Sequence, residues 1–371
     1  MLPGRDGVHE LELAGGRIAA TRPSHAPSGK LALPAFADLH VHADRAFARG
    51  PRPPRSLGDA IGLVAEIKRD STEELVRQRA GRLFRRALAH GSLRVRTHVD
   101  VDELVEERAL RGALAARAEL AGRLDVELVA FATAVTDPST AEGARRLASA
   151  VEAGADLVGA VPAFHADPTA SLEGVLELAS DVGVDADLHV DETVDPSGFQ
   201  LERLADAVLR RGLEGRVTAS HCCSLASVDP QTARRTIAKV AAAGITVVAL
   251  PALNLYLEDR GGGTPRLRGM TLVRELVEAG VPVRFGSDNV ADVFYPYGDA
   301  DPLEAAWLTA LAAHVDDVDV LLAGVCAGRT RVEPGDPADL VLLEADSVRD
   351  ALARRPPTRT VVRAGEIVSD S

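Results

Sequence analysis

Residues 33–42 have the sequence Leu-Pro-Ala-Phe-Ala-Asp-Leu-His-Val-His. The apolar run from 33 to 40 is typical of a buried β-strand, and it leads directly into His40 and His42. If the strand continues through this pair, its period of two places both imidazoles on the same side. Two neutral imidazoles at a strand end are the beginning of a site for a divalent cation. The alternative interpretation is two unrelated polar residues in a loop.

The composition describes a folded globular protein with a small-molecule partner. The chain has 371 residues, of which 46% are hydrophobic, and its mean hydropathy is +0.02. No apolar run approaches the length that spans a bilayer, and the first residues lack the apolar core of a signal peptide. The formal charge of −13 opposes binding to nucleic acid or to an anionic membrane. We expect neither partner, and we expect a homo-oligomer.

The cysteines indicate a reducing compartment. Cys222, Cys223 and Cys326 are odd in number and include an adjacent pair, so they predict no disulfide framework and no Cys-x-x-Cys zinc site. Reduced thiols are the simplest account, and we expect a cytoplasmic protein.

Strand-like runs alternate with helical segments along most of the chain. The predicted strands are 33–40, 93–99, 125–131, 157–161, 185–189, 216–220, 246–250 and 282–286. Such alternation implies parallel strands that are joined by right-handed crossovers. Eight of them favour an α/β fold of the closed (β/α)₈ TIM-barrel type over a doubly wound sheet.

The two ends of the chain have a different pattern, with short strands and turns. Strands are predicted at 9–13 and 16–20 around a Gly-Gly pair, and again within 332–343 and 360–368. We therefore predict a small β-sandwich-like domain from residues 1–32 together with 330–371. Residues 33–329 then form the catalytic barrel domain.

Potential metal ligands and proton carriers follow several of the predicted strands. They are His40, His42, His189, Glu192, His221 and Asp288. In a TIM barrel the catalytic groups lie at the carboxyl ends of the strands, so these side chains are expected to meet. Three imidazoles and a carboxylate can bind one divalent cation, which lowers the pKa of water from about 15.7 toward about 7. The remaining imidazole and Glu192 can orient that water and move its proton.

Several stretches of the chain resemble the amidohydrolase superfamily, and within it the cytosine deaminase-like branch. They are 33–42, 95–101, 155–162, 189–192, 217–221, 285–298 and 337–343. The resemblance implies that one Zn²⁺ or Fe²⁺ is bound by four ligands, namely His40, His42, His189 and Asp288. It further implies that Glu192 moves a proton from the attacking water to the ring nitrogen and then to the leaving amine. By the same resemblance His221 hydrogen-bonds the attacking water, and Asp288 also accepts its proton.

The lysines favour one metal ion. Binuclear members of the superfamily bridge two metals with a carboxylated lysine on a middle strand. This chain has only Lys30, Lys68 and Lys239, and none lies on predicted strands three to five. A mononuclear site follows, which favours deamination over dihydroorotase-like or phosphotriesterase-like chemistry.

The departures from the branch concern the substrate. Cytosine deaminases carry a glutamine after the third strand, whereas this chain has Thr133, which lacks the same donor–acceptor pair. The second aspartate of the branch's Asp-Asp pair is Asn289 here. Both changes point to an amino-substituted nitrogen heterocycle other than cytosine, because a site built for one hydrogen-bonding edge rejects others.

Four residues are predicted to contact the substrate: Thr133, His98, Asn289 and Phe294. Two of them have alternatives, since His98 fits a purely structural hydrogen bond and Phe294 fits packing within its loop as well as stacking on a ring. Arg45 either screens the pocket or faces water.

The predicted function is metal-dependent hydrolytic deamination of such a heterocycle. The alternative is a mononuclear metal hydrolase that opens a cyclic amide C–N bond. A barrel that binds metal or ligand without catalysis is a third interpretation, which the full set of proton-transfer groups disfavours.

Overall fold

The structure is a computed structural model that describes residues 1–25, 30–260 and 267–370. The strands in chain order are β1 (Val8–Ala14), β2 (Arg17–Ser24), β3 (Leu31–Pro34), β4 (Phe36–Val41), β5 (Ser92–Asp100), β6 (Asp125–Ala132), β7 (Leu157–Ala160), β8 (Asp185–Val190), β9 (Val217–His221), β10 (Thr246–Ala249), β11 (Val283–Phe285), β12 (Leu340–Leu343), β13 (Arg359–Arg363) and β14 (Glu366–Asp370).

The helices surround the parallel strands. They are α1 (Leu57–Asp70), α2 (Glu73–Ala89), α3 (Arg108–Glu119), α4 (Ala141–Glu152), α5 (Pro168–Val182), α6 (Leu201–Arg211), α7 (Pro230–Ala242), α8 (Pro251–Leu257), α9 (Val273–Glu278), α10 (Pro302–Ala312), α11 (Val318–Val325) and α12 (Val348–Arg354). In the described ranges no helix combines the length and apolarity that a bilayer crossing needs.

The strands from β4 to β11 form one parallel sheet in which neighbours in the chain are neighbours in space. The last strand meets the first just beyond its end. The backbone N–H of Asp288 donates to the carbonyl of His40 at 2.8 Å, and that of His42 donates to the carbonyl of Asp288 at 3.3 Å. A parallel bridge between Val41 and Asp288 completes this seam. The predicted (β/α)₈ TIM barrel is confirmed.

Three of the barrel helices begin in the same way. Asp167, Asp229 and Asp301 each precede a proline at the first helical position. The carboxylates of Asp167 and Asp229 each accept from two backbone N–H groups of the first turn, and that of Asp301 accepts from one. These N–H groups have no partner within the helix. The proline loses nothing there, because its missing N–H is one of those unpaired groups.

The chain ends form antiparallel sheets beside the barrel, as the sequence predicts. Strands β1 and β2 make a hairpin, and β3, β12, β13 and β14 make a four-stranded sheet in the order β14-β13-β12-β3. Gly15 and Gly16 occupy the turn of the hairpin with φ of 58° and 74°, which other residues adopt at a cost. The division into two domains at 32/33 and 329/330 stays a prediction.

The predicted first strand is wrong at its beginning. Leu33 and Pro34 belong to β3, where Leu33 pairs with Val341, and the barrel strand begins at Phe36. Between them the N–H of Ala35 donates to the carbonyl of Asp339 at 3.0 Å. Pro34 has no N–H to give to a ladder, and it lies at the end of β3, where that loss matters least.

Arg359 links the four-stranded sheet to the barrel. Its side chain is fully buried on β13, and its guanidinium donates to both oxygens of Asp301 at 2.7 and 2.6 Å and to the carbonyl of His90 at 2.6 Å. We expect Arg359→Met to lower the free energy of unfolding by about 3–5 kcal/mol, because the carboxylate of Asp301 stays buried without its cation. Denaturant titration measures this loss.

A matched control lies four residues further along the same strand. Arg363 pairs at 2.7 Å with Asp125, whose side chain is 65% exposed. Arg363→Met should change stability by no more than about 1 kcal/mol, because surface ion pairs contribute little. Equal losses in the two variants would contradict the linking role of Arg359.

Candidate active site

The four predicted metal ligands meet at the carboxyl end of the barrel. The Nε2 atoms of His42 and His189 lie 3.1 Å apart. Oδ1 of Asp288 lies 3.4 Å from Nε2 of His42 and 3.8 Å from Nε2 of His40. All four side chains are buried. Strand β4, strand β8 and the seam thus place three imidazoles and one carboxylate around one point.

The chemistry of these groups fits a divalent cation. Burial lowers the pKa of His40, His42 and His189 well below the ordinary value, so the rings are neutral and offer lone pairs. Nε2 of His40 and Oδ2 of Asp288 are buried without a hydrogen-bond partner among the described residues. Unpaired polar atoms in the interior are costly, and a bound cation would remove that cost.

His98 lies behind this cluster. Its ring centroid is 4.2 Å from that of His40, and its Nε2 is 3.2 Å from Oδ1 of Asp187. With His40 and His189 it forms a second group whose ligand atoms lie within 4.8 Å of one another. It is absent from the walls of both cavities described below. This position favours support of His40 over the predicted contact with substrate.

A hydrogen-bond chain fixes the orientation of His40. Its Nδ1 lies 2.8 Å from Oγ of Ser220, and that hydroxyl donates to Oδ1 of Asp187 at 3.3 Å. Nδ1 therefore carries the proton and donates to Ser220, which leaves the lone pair of Nε2 facing Asp288. The sequence motifs identify neither Ser220 nor Asp187. Strand alternation gives a signal for Asp187, which shares one face of β8 with His189.

We expect Ser220→Ala to weaken metal binding about 10- to 100-fold, because hydrogen bonds behind a metal-binding histidine fix its tautomer and orientation. Competition with a metal chelator measures the affinity. Ser171→Ala is the matched control, since it removes an equivalent 2.8 Å contact to Nδ1 of His165, away from the cluster. Unchanged metal affinity in Ser220→Ala would show that the hydrogen bonds from His40 through Ser220 to Asp187 do not support the metal site.

Glu192 and His221 lie beside Asp288. Nε2 of His221 is 3.7 Å from Oε2 of Glu192 and 3.8 Å from Oδ2 of Asp288. Asn254 Nδ2 donates to Nδ1 of His221 at 3.1 Å, so the ring proton lies on Nε2. In this tautomer His221 presents a donor at Nε2, which suits a hydrogen bond to water.

The surroundings of these two groups shift their pKa values in opposite directions. Burial lowers the pKa of His221 to about 3, so it stays neutral. Burial, followed by the nearby carboxyls of Asp288 and Glu258, raises the pKa of Glu192 well above the ordinary value. A carboxyl group with a raised pKa binds a proton more readily than a free one, which suits it to carrying protons.

The backbone is strained where these residues lie. Asp191, His221 and Asp288 have φ of 56°, 70° and 59°, in the left-handed region that non-glycine residues rarely adopt. The carboxylate of Asp191 accepts from the N–H groups of Gln200 and Leu201 at 2.8 and 3.0 Å, which holds the turn that presents Glu192. Such outliers concentrate at functional sites.

A cavity lies in front of the cluster. Its walls include His42, Arg45, Phe131, His189, Glu192, Asp288, Asn289 and Phe294. Two of the predicted substrate contacts, Asn289 and Phe294, are therefore beside the metal ligands. Thr133 lines an adjoining cavity instead, and its hydroxyl donates to Oδ2 of Asp102 at 2.9 Å. Arg45 belongs to the cavity wall rather than to the open surface.

Comparison with known proteins places this geometry in context. The model of a family described as "Amidohydrolase family" matches residues 55–369. A pterin deaminase of Rhizobium rhizogenes is 38% identical over 91% of this chain and 80% of its own length. An N-isopropylammelide isopropyl amidohydrolase of Pseudomonas is 26% identical over 98% of this chain and 94% of its own length. The crystal structure of 5-methylcytosine deaminase from Klebsiella pneumoniae with 5-fluorocytosine has a TM-score of 0.91 at 29% identity, over 100% of this chain and 96% of that one.

Proposed function

The chain belongs to the amidohydrolase family, and from that premise we propose that it is a metal-dependent hydrolytic deaminase of an amino-substituted nitrogen heterocycle other than cytosine. The observation that carries the proposal is the arrangement of Glu192, His221 and Asp288 beside three neutral imidazoles, at the end of one cavity. The relatives that act as pterin and 5-methylcytosine deaminases support a heterocyclic substrate.

The proposed ligands of a single cation are His40, His42, His189 and Asp288. When bound, Zn²⁺ or Fe²⁺ supplies a water molecule of lowered pKa as the nucleophile. The support for nitrogen and oxygen ligation is the set of unpaired, buried ligand atoms described above. Metal analysis of the purified protein distinguishes the two ions.

Each of the remaining groups has a role in moving protons. Glu192 takes one proton of the attacking water and delivers it to the adjacent ring nitrogen, while Nε2–H of His221 donates a hydrogen bond to the oxygen as it adds to the amine-bearing carbon. Asp288 accepts the second proton from that oxygen as it becomes the carbonyl, and this proton passes through Glu192 to the amino group. The C–N bond breaks, ammonia leaves, and a carbonyl remains on a closed ring. Phe131 forms part of the cavity wall, with its ring centroid 4.4 Å from that of His189, and its apolar ring helps to exclude bulk water.

The test is ammonia release from metal-loaded enzyme with aminated pteridines, pyrimidines, purines and triazines, followed by mass analysis of the product. Deamination replaces the amino group with an oxygen and leaves the ring closed. Opening of a cyclic amide adds the elements of water and releases no ammonia, which would support that alternative. Stoichiometric metal with no turnover of any compound would refute the deaminase proposal.

We also propose a reducing cytoplasm as the compartment. The support is that Cys222, Cys223 and Cys326 are all free and buried. The homo-oligomer stays a prediction.

A further inference from the structure

A second cavity adjoins the one in front of the metal ligands. The two share the side chains of Arg45, Ile61, Phe131, Val161, Phe164 and Phe294. The second cavity is lined further by Val64 and Ala65 of α1 and by the polar residues Lys68, Asp100, Asp102 and Thr133. The two cavities are therefore neighbours, and three of their shared walls are aromatic rings, which suit contact with a flat molecule.

The polar wall of the second cavity is a connected network. Nζ of Lys68 lies 2.6 Å from Oδ2 of Asp100 and 2.6 Å from Oδ2 of Asp102. Arg45 donates to Oδ1 of Asp100 at 3.0 Å, and Thr133 donates to Oδ2 of Asp102 at 2.9 Å. Both carboxylates are at most 2% exposed. Burying four charges gains little stability compared with an apolar core, so the network points to a use for a rigid polar wall.

Arg45 has hydrogen-bonding capacity left over. Its side chain is 12% exposed, and its guanidinium lies 5.2 Å from the ring centroid of Phe294 at the place where the two cavities meet. Its Nε is buried and has no hydrogen-bond partner in the described part of the chain. Arg45 also lines both cavities, so an acceptor on a ligand that reaches their junction can receive a hydrogen bond from its side chain.

We propose that the second cavity is a subsite for the distal ring of a fused bicyclic amino-heterocycle. The ring that bears the amine lies against Glu192 and Asp288, and the second ring lies between the shared phenylalanines, with an acceptor nitrogen or oxygen toward Arg45. Thr133 then contacts the distal ring rather than the reacting one. This inference rests on the proposed function and narrows its substrate class.

Two substrates that differ only in the second ring test the subsite. Isocytosine has the 2-amino-4-oxopyrimidine ring, and pterin has the same ring fused to a pyrazine. We expect kcat/KM for ammonia release to be at least about 100-fold higher for pterin, because isocytosine leaves the subsite and its donor without a partner. Comparable values for the two compounds would overturn the subsite. Absence of turnover with both, with metal bound, would instead count against the deaminase proposal itself.

Filling the subsite from α1 provides the second test. Ala65→Phe should reduce the pterin-to-isocytosine ratio of kcat/KM at least about tenfold, because the added ring occupies the space of the distal ring. Glu66→Phe places the same side chain at the next, exposed position and should leave the ratio unchanged. A ratio that Ala65→Phe does not lower would refute the proposal.

Val135→Trp is the second filling variant, for use if Ala65→Phe lowers the thermal midpoint. Val135 lines the same cavity and is 54% exposed, so its enlargement does not disturb the core. We expect the ratio to fall in this variant as well. A fall in Ala65→Phe alone, together with a lowered thermal midpoint, would assign the effect to damaged folding and overturn the subsite.

Discussion

Replacement of Glu192 by glutamine is expected to reduce kcat by about 10³-fold or more while the protein keeps its metal ion. Glutamine has nearly the same shape, but it cannot accept a proton from water and pass it to the ring, and proton transfer by a placed side chain contributes about 10²- to 10⁴-fold. Glu192 lies outside the proposed ligand set, 3.7 Å from Nε2 of His221. Single-turnover ammonia release and metal analysis on the same sample measure both quantities.

The control for this experiment is Glu202→Gln, on the helix that follows the same loop. Glu202 pairs with Arg235 at 2.6 Å on the surface, so its loss should leave turnover unchanged. Full turnover in Glu192→Gln would remove this residue from the mechanism. Loss of metal in parallel with turnover would show that Glu192 holds the ion instead of moving protons.

Removal of the metal by a chelator is expected to abolish turnover and to lower the thermal midpoint of unfolding. An ion that binds only the folded state stabilises it by about 2.7 kcal/mol at 100 times its dissociation constant. The apoprotein must also keep three imidazoles and the Asp288 carboxylate together in the interior, where burial raises the pKa of that carboxyl well above its ordinary value. Re-addition of Zn²⁺ or Fe²⁺ should restore both properties.

Thermal unfolding of the variant His40→Ala distinguishes an ion bound at the proposed site from one bound loosely elsewhere. Without this ligand the midpoint should no longer respond to added metal, whereas Ser171→Ala should respond as the parent protein does. Metal analysis should give one ion per chain, and two ions would overturn the mononuclear prediction drawn from the lysines. Turnover and a thermal midpoint that survive exhaustive chelation would contradict the metal site altogether.

The barrel could be predicted because its signal is local and repeated. Each strand is a short apolar run, and the segment after it has the period of a helix, so β4 to β11 are found one at a time. The error at Leu33 and Pro34 has a different origin. Their partner strand is β12, some 300 residues away, and nothing within the run tells which sheet its first residues join.

The candidate site also has a part that the sequence predicts and a part that it does not. Histidines 40, 42 and 189 follow from strand ends, because a barrel brings all such ends together. Other contacts could not be predicted, because they depend on which side chains meet across different strands and helices. Examples are the hydrogen bond between His40 and Ser220 and the ion pairs of Lys68 with Asp100 and Asp102. The sequence also leaves undecided whether Arg45 faces the pocket or water, because a loop has no periodicity that reveals where a side chain points.

The seam between the first and last barrel strands has a consequence for how the protein is made. His40 and His42 leave the ribosome early, whereas Asp288, which hydrogen-bonds to both of their backbones, is synthesised about 250 residues later. The proposed ligand set is therefore incomplete during most of translation. At the 5–20 residues per second of typical synthesis, roughly 10 to 50 seconds separate the first ligand from the last. A nascent chain would thus acquire its ion as the barrel closes, so that metal loading reports closure of the barrel.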